Sequence, residues 1–338
     1  MKYYIYPLRF LTPIHFGNVA TGGSLEKVTI SYSSDILFSA ICNELAHQPT
    51  MLMKLKEALE SQTLKLSALF PYYKNRSDWE LYLPKPIFNV QREIAITDYE
   101  RTKELATKLK KIKKTAYVRT SVLSNGESKK IDLAALESAE GRQFGTTILT
   151  ERVNKRHDVS EPYFVGGYRF VANAGLYTVV GFEDEELKLL FDQLIELLGL
   201  SGIGGKRSSG YGKFELVREA MEVIISKSSS KDIKALYRLL EASEALNAST
   251  YMAISAIAPQ KLELDIVRTG YYQLIKRSGF VQSPEVSYAI KRNSCYLLAE
   301  GSCFGKPLKG RLITMNIDGI PHAIYRNGIG LFVGVNYD

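Results

Sequence analysis

Residues 3–11, YYIYPLRFL, are aromatic and apolar and predict a first strand, with Pro7 at a bulge or an edge. A glycine-bearing loop at 13–23 leads to a second short strand at 25–31. Residues 34–47, SDILFSAICNELAH, switch to helical period: Ile36, Leu37, Ala40, Ile41 and Leu45 share a face. Ser33 or Ser34 can cap that helix, and Asp35 suits the positive end of its dipole. Pattern returns with a strand at 175–182, GLYTVVGF. The amphipathic helix at 184–198 carries the stripe Leu187, Leu190, Phe191, Leu194 and Leu198 and closes at Gly199. A strand at 211–217 follows. Beyond a serine-rich linker at 226–230, residues 231–246 predict a helix with Ile233, Leu236, Leu239, Leu240 and Leu246 inward. Strands are then expected at 251–258, 295–299, 311–317 and 331–335, separated by Gly, Pro and Asn turns.

Residues 85–170 have weak periodicity and read as a long insertion or flexible projection, a length of loop that is usually functional. Strand, helix, excursion, strand, helix, strand is the element order of a ferredoxin-like βαββαβ unit, with its missing strand expected near 80–83. The expectation is an α+β chain of two ferredoxin-like (RRM-like) domains in tandem. The first spans 1–225, with the insertion at about 85–170; the second, degenerate one spans 226–338.

A length of 338 residues, 45% apolar and 24% charged, fits two folded domains and excludes collagen-like, coiled-coil and disordered classes. Lys and Arg number 44 against 36 Asp and Glu, a net charge of +8. Residues 101–130 hold ten of the bases and two acids, so this stretch equals the whole surplus. It is either a solvated helix face or a polyanion contact. The spacing of Leu105, Leu109 and Ile112 allows a short projecting helix, with Lys110, Lys111, Lys113 and Lys114 on other faces. Three cysteines (Cys42, Cys295, Cys303) without a CxxC pair argue against disulfides and zinc, and make a reducing cytoplasm the default. The first residues read as a strand and not as a signal peptide, and no apolar run is long enough to span a membrane. No cofactor is expected.

Residues 199–214, GLSGIGGKRSSGYGKF, are the most specific chemical feature. The loop follows a helix and opens a strand, the wrong order for a dinucleotide fingerprint, and its spacing fails as a Walker A motif. Six glycines (Gly199, Gly202, Gly204, Gly205, Gly210, Gly212) let backbone N–H groups approach anionic oxygens, and Lys206, Arg207, Ser208 and Ser209 add donors. This suits an extended phosphodiester; the bland alternative is a flexible hairpin tip. Tyr211, Tyr163, Phe164 and Tyr168 could stack on splayed bases, although core packing is the better reading of any single one. Arg152, Lys155 and Arg156, beside His157, are either a solvated loop or an RNA clamp.

The stretch GIGGKRSSGYGKF, between a long helix and a last strand, resembles the glycine-rich loop of the RAMP proteins of CRISPR systems. FLTPIHFGN, SSDILFSAICNELA, TERVNKRHDVSEPYFVGGYRF, YYQLIKRSGFVQSP, CYLLAEGSCF and IYRNGIGLFVGV, in that order, narrow the resemblance to the subunit-four family of type III-A (Csm) effector complexes. The resemblance implies two ferredoxin-like domains, no nuclease activity, and binding of the CRISPR RNA 5′ handle. It also implies contact with the large polymerase-palm subunit and with a backbone RAMP subunit, in antiviral defence. RNA-binding positions would be His15, Arg152, Lys155, Arg156, Gly202, Gly204, Gly205, Lys206, Arg207, Ser208, Ser209 and Tyr211. The rival reading is a RAMP endoribonuclease that matures CRISPR RNA with His15 as general base; His15 has no evident partner acid or base in the sequence. A third is the equivalent subunit of a type III-B complex.

Overall fold

The computed structural model describes residues 1–17, 24–76, 78–87, 115–124, 142–156, 159–227, 229–281, 283 and 290–336, with positions 103, 107 and 110. Its centre is an eight-stranded sheet. The strands of the first half are β1 (Lys2–Phe10), β2 (Phe16–Gly17), β3 (Val28–Thr29), β4 (Leu64–Leu66), β5 (Phe70–Asn75), β6 (Asp78–Pro84), β7 (Tyr117–Arg119), β8 (Gly145–Arg156), β9 (Val159–Phe170), β10 (Ala174–Phe182), β11 (Phe214–Leu216) and β12 (Met221–Glu222). The sheet order is β11-β1-β10-β5-β6-β7, with β12 also on β1 and β4 also on β10. The helices are α1 (Ser34–Glu44), α2 (Pro49–Glu60), α3 (Thr120–Leu123) and α4 (Glu185–Ser201).

Every residue of β1 from Tyr3 to Leu8 is buried, because alternate side chains enter two different cores. Tyr4, Tyr6 and Leu8 pack with α1 and α4 residues such as Leu37, Ile41, Phe191 and Leu198. Tyr3 and Ile5 face the other way, against Ile233, Leu236, Met252 and Val333 of the second half. β10 divides likewise: Leu176 and Val180 go to the first core, Tyr177 and Val179 to the second. The strand is therefore interior, not an edge. Pro7 is tolerated because β11 pairs residues 8–10 and β12 pairs residues 4–5, leaving the ladder on that side broken where Pro7 has no N–H to give.

The second half carries α5 (Lys231–Glu244), β13 (Thr250–Ala253), α6 (Leu264–Arg268), β14 (Leu274–Arg277), β15 (Cys295–Leu298), β16 (Cys303–Phe304), β17 (Ile313–Met315), β18 (Ile324–Arg326) and β19 (Phe332–Val335). They form a three-stranded sheet β16-β13-β19 and two ribbons, β14-β15 and β17-β18. Ser230 caps α5 by accepting from the Ile233 N–H.

Several expectations need correction. The strand next to β10 is β5; the residues expected at 80–83 form β6, one place further out. The expected strand at 25–31 is only the two-residue β3. Residues 145–170 are no irregular projection: β8 and β9 pair without a break from Gly145–Phe170 to Arg156–Val159. Helix α2 matches none of the elements expected from the hydrophobic pattern. Helix α4 runs past Gly199 to Ser201 and is capped by Gly202 at φ +78°; Gly199 instead lets the Phe214 carbonyl approach, where a Cβ would stand 2.5 Å from that oxygen. Leu246, expected inward, lies beyond α5 and is exposed. The strand expected at 251–258 leaves the sheet after Ala253. Of the basic stretch, Lys103, Thr107 and Lys110 are helical and exposed; Leu105, Leu109, Ile112 and most of the lysines lie outside the described residues. Arg119 does not belong to an anion-facing patch: it pairs with buried Asp232 at 2.8 Å and lies 3.8 Å from Glu80.

Candidate nucleic-acid interface

Three segments meet at one end of the sheet: the loop after β1, the glycine-rich loop after α4, and one face of the β8–β9 hairpin. The first two are zipped together by backbone bonds. Gly205 N–H donates to the His15 carbonyl and Gly212 N–H to that of Pro13, both at 2.8 Å, and Lys213 N–H reaches the Thr12 hydroxyl at 3.0 Å. The hairpin joins through reciprocal 2.9 Å bonds between Ile14 and Tyr168.

The glycines shape the loop more than they donate from it. Gly202 N–H closes α4 and Ile203 N–H reaches the Gly212 carbonyl. Burial drives the Tyr32 phenol well above its usual range. Gly212 is obligatory here: its φ is +78°, and a Cβ would lie 2.0 Å from the Ile203 oxygen. The backbone N–H groups without an acceptor among the described residues are those of Gly204, Lys206, Arg207 and Ser208, the last three consecutive. Lys206 sits in the left-handed region at φ +61°, and a 3₁₀ turn over Arg207–Ser209 follows. A left-handed residue followed by right-handed turn residues points successive amides into one concavity, a nest for an anionic oxygen.

The side chains add charge around it. The Lys206 ammonium lies 5.6 Å from the centre of the Tyr163 ring. Arg152 donates to the Ser209 hydroxyl at 2.9 Å and lies 5.8 Å from the Tyr211 ring centre. Arg207 is partly committed elsewhere, 3.7 Å from Glu44, whose other oxygen accepts from Ser201 at 2.8 Å. Ser208 is exposed. Lys155 is exposed further along β8, and of Arg156 only the backbone is described.

His15 is buried beneath this surface. Its Nδ1–H donates to the Gly166 carbonyl at 2.8 Å, which leaves Nε2 as the lone-pair nitrogen. A Cβ on Gly205 would stand 2.7 Å from the imidazole Cδ2, so a glycine at 205 lets the loop lie against the ring.

Two of the candidate stackers are packed, the reading preferred for each. Tyr211 is buried edge-on to His15, with its hydroxyl directed to Thr150 at 3.4 Å, and presents no open face to a base. Tyr168 packs against Phe170, which itself stacks on Phe10 at 5.2 Å. Phe164 is exposed, on the opposite face of the hairpin from Tyr163. His157 lies outside the described residues. Sequence reasoning missed Glu44, Thr150 and Ser201, which hold the loop in place. Only Glu44, at the end of an amphipathic helix, carried a local signal.

Among known proteins, residues 246–335 match the family described as CRISPR Csm4 C-terminal domain. The chain is 28% identical over 328 residues to the CRISPR system Cms protein Csm4 of Mycobacterium tuberculosis (strain CDC 1551 / Oshkosh), covering 95% of this chain and 94% of that protein. It is 26% identical over 337 residues to Csm4 of Streptococcus thermophilus, covering 98% of both. Its fold matches a crystal structure of a Csm1–Csm4 cassette in complex with pppApA, with TM-score 0.58 and 19% identity over 100% of this chain and 99% of that one. It also matches a Csm3–Csm4 subcomplex of the type III-A CRISPR-Cas interference complex, with TM-score 0.59 and 17% identity over 99% and 100%. The resemblance to the subunit-four family read from the sequence holds across both halves of the chain.

Proposed function

We propose that this chain is a Csm4-type subunit of a type III-A CRISPR effector complex and that it binds the 5′ handle of CRISPR RNA without cleaving it. The observation that carries the reading is the concavity formed by the Lys206, Arg207 and Ser208 amides, flanked by the Lys206 ammonium and Arg152. Phosphates would be positioned there, and unstacked bases would be read by neighbouring polar groups. The proposed protein partners are the large polymerase-palm subunit and a backbone RAMP subunit, the classes joined to Csm4 in the two similar assemblies. A cytoplasmic place follows from that role. The order β11-β1-β10-β5, with α1 and α4 on one face, supports reading the first half as ferredoxin-like.

The nuclease reading keeps one observation: among the described residues, His15 Nε2 has no hydrogen-bond partner. Its Nδ1–H, however, is held by a backbone carbonyl and not by a carboxylate that would stabilise an imidazolium. The purified chain should retain a repeat RNA uncut, and RNA recovered with the expressed complex should share one repeat-derived 5′ end. Cleavage that disappears in a folded His15→Ala variant would establish the nuclease instead. Recovery of RNA with random 5′ ends would remove the handle role.

A further inference from the structure

Behind the N-terminal turn of α1, the two halves meet around one carboxylate. Asp35 is fully buried and accepts from Arg277, whose Nε stands 3.2 and 3.1 Å from its two oxygens, and from Nη1 of Arg326. Arg292 lies in the same field: burial and the charge of Arg326 both lower its pKa, and Asp35 opposes them. Glu300 accepts from the Ser33 hydroxyl, but burial pushes it above the usual carboxylate range, toward its neutral form. Two guanidinium groups thus share Asp35, with Arg292 in the field of Arg326, and buried cations require counter-charge.

The unused valences have a shape. Arg326 is only 3% exposed and engages Asp35 through Nη1 alone. Its side-on edge, Nε and Nη2, is buried with no acceptor among the described residues, and so is Nε of Arg292. That edge presents two parallel N–H groups, the geometry that matches two oxygens of one phosphate or carboxylate. We propose that this junction binds a small inorganic oxyanion of the phosphate class, held by the side-on edge of Arg326 and by Arg292. Enclosure favours a small ion over a polymer: Asp35 and Arg326 are shut from solvent and the Arg277 side chain is 13% exposed, so a nucleic-acid strand has no path along them. An acidic side chain of a neighbouring subunit is the competing occupant.

The full-length protein is titrated with sodium phosphate, against sodium chloride at equal ionic strength, while thermal unfolding is followed. Phosphate should raise Tm saturably, by about 3 °C or more, where chloride does not. Arg326→Lys keeps a charge beside Asp35 but removes the two-pronged edge, and should weaken the apparent phosphate affinity roughly tenfold. Arg292→Gln, at a less buried position, should also weaken it and decides the matter if Arg326→Lys does not fold. Lys206→Ala with Arg207→Ala should leave the response intact, separating this junction from the glycine-rich loop. The proposal is overturned by an unsaturable response, by an unchanged response in Arg292→Gln, or by a response lost with the loop pair. It is equally overturned if the free chain ignores phosphate and the edge of Arg326 is bonded to a partner's carboxylate in the assembled complex.

Discussion

Lys206 and Arg207 are adjacent in sequence and unequal in the structure. Arg207 already faces Glu44, whereas Lys206 has only the face of Tyr163 beneath it and stands at the mouth of the amide concavity. The two should therefore contribute unequally to RNA binding. Lys206→Ala should flatten the slope of log affinity against log salt for a handle RNA by about 0.7, the share of one phosphate contact on a single strand. Arg207→Ala should change it less. Fluorescence anisotropy across a salt series measures both, and equal slopes would refute the asymmetry. Composition pointed to the loop because glycine, lysine and serine cluster there; it could not say which N–H groups are spent. That depends on Pro13 and His15, brought in from the other end of the first half. For the same reason Tyr211 resembles a stacking platform in sequence alone: Thr150 and Gly167, which enclose it, are far away along the chain.

At the scale of elements, the β8–β9 hairpin is hidden by apolar residues on both of its faces. The positions turned toward the loop include Ile148, Thr150, Arg152 and Val165, while the outward ones include Leu149 and Val153, both more than half exposed. Polar and apolar positions therefore do not alternate cleanly, and the usual inward-apolar rule finds no strand. Helix α2 escaped because only Leu55, Ala58 and Leu59 of its twelve residues are buried. The longer amphipathic helices α4 and α5, with continuous stripes, were legible. Arg152 is the hairpin's charged link to the loop. Arg152→Ala should cost less than about 1 kcal/mol of stability, because its two contacts are near the surface. It should nevertheless weaken handle binding several-fold by loosening Ser209 and removing a cation. Thermal unfolding and anisotropy on the same preparation separate the two effects, and unchanged binding would exclude Arg152 from the interface.

At the scale of the whole molecule, the two halves share a core. The outer face of the large sheet is covered by α5, β13 and β19, so Tyr3 and Ile5 share a core with Met252 and Val333. Asp232 reinforces the junction. Its carboxylate accepts from Leu81 N–H at 3.2 Å, Ser121 N–H at 2.9 Å and Arg119 Nε at 3.0 Å. Asp232→Asn should cost about 2 kcal/mol by removing the nearer of the two buried carboxylates that face Arg119, with Glu80 remaining at 3.8 Å. Calorimetry should show one transition moved down as a unit; two separated transitions would mean independent halves.

The junction around Asp35 makes stability depend on pH. The folded pKa of Glu300 lies above its unfolded value, so the folded state holds that proton longer. Stability from this group is complete below the unfolded carboxylate range and falls as pH rises through the folded value. Glu300→Gln should flatten that fall in a series of Tm measurements from about pH 4 to about pH 8. A variant that tracks the parent across the range would show that Glu300 titrates normally.

The pairing of β1 also bears on how the chain is made. Its partners β10, β11 and β12 lie between residues 174 and 222, so the second residue of the protein waits for the 182nd, and the fifth for the 221st. At a synthesis rate of roughly 5–20 residues per second, that delay is on the order of ten to forty seconds. Throughout it, a nine-residue strand with three tyrosines is without its ladder. Contacts this distant in sequence slow folding, and an unpaired apolar strand invites association with other chains. Overproduction without chaperones or cold induction should therefore deposit this protein in inclusion bodies, through a nascent chain waiting for its sheet and not through any weakness of the finished fold.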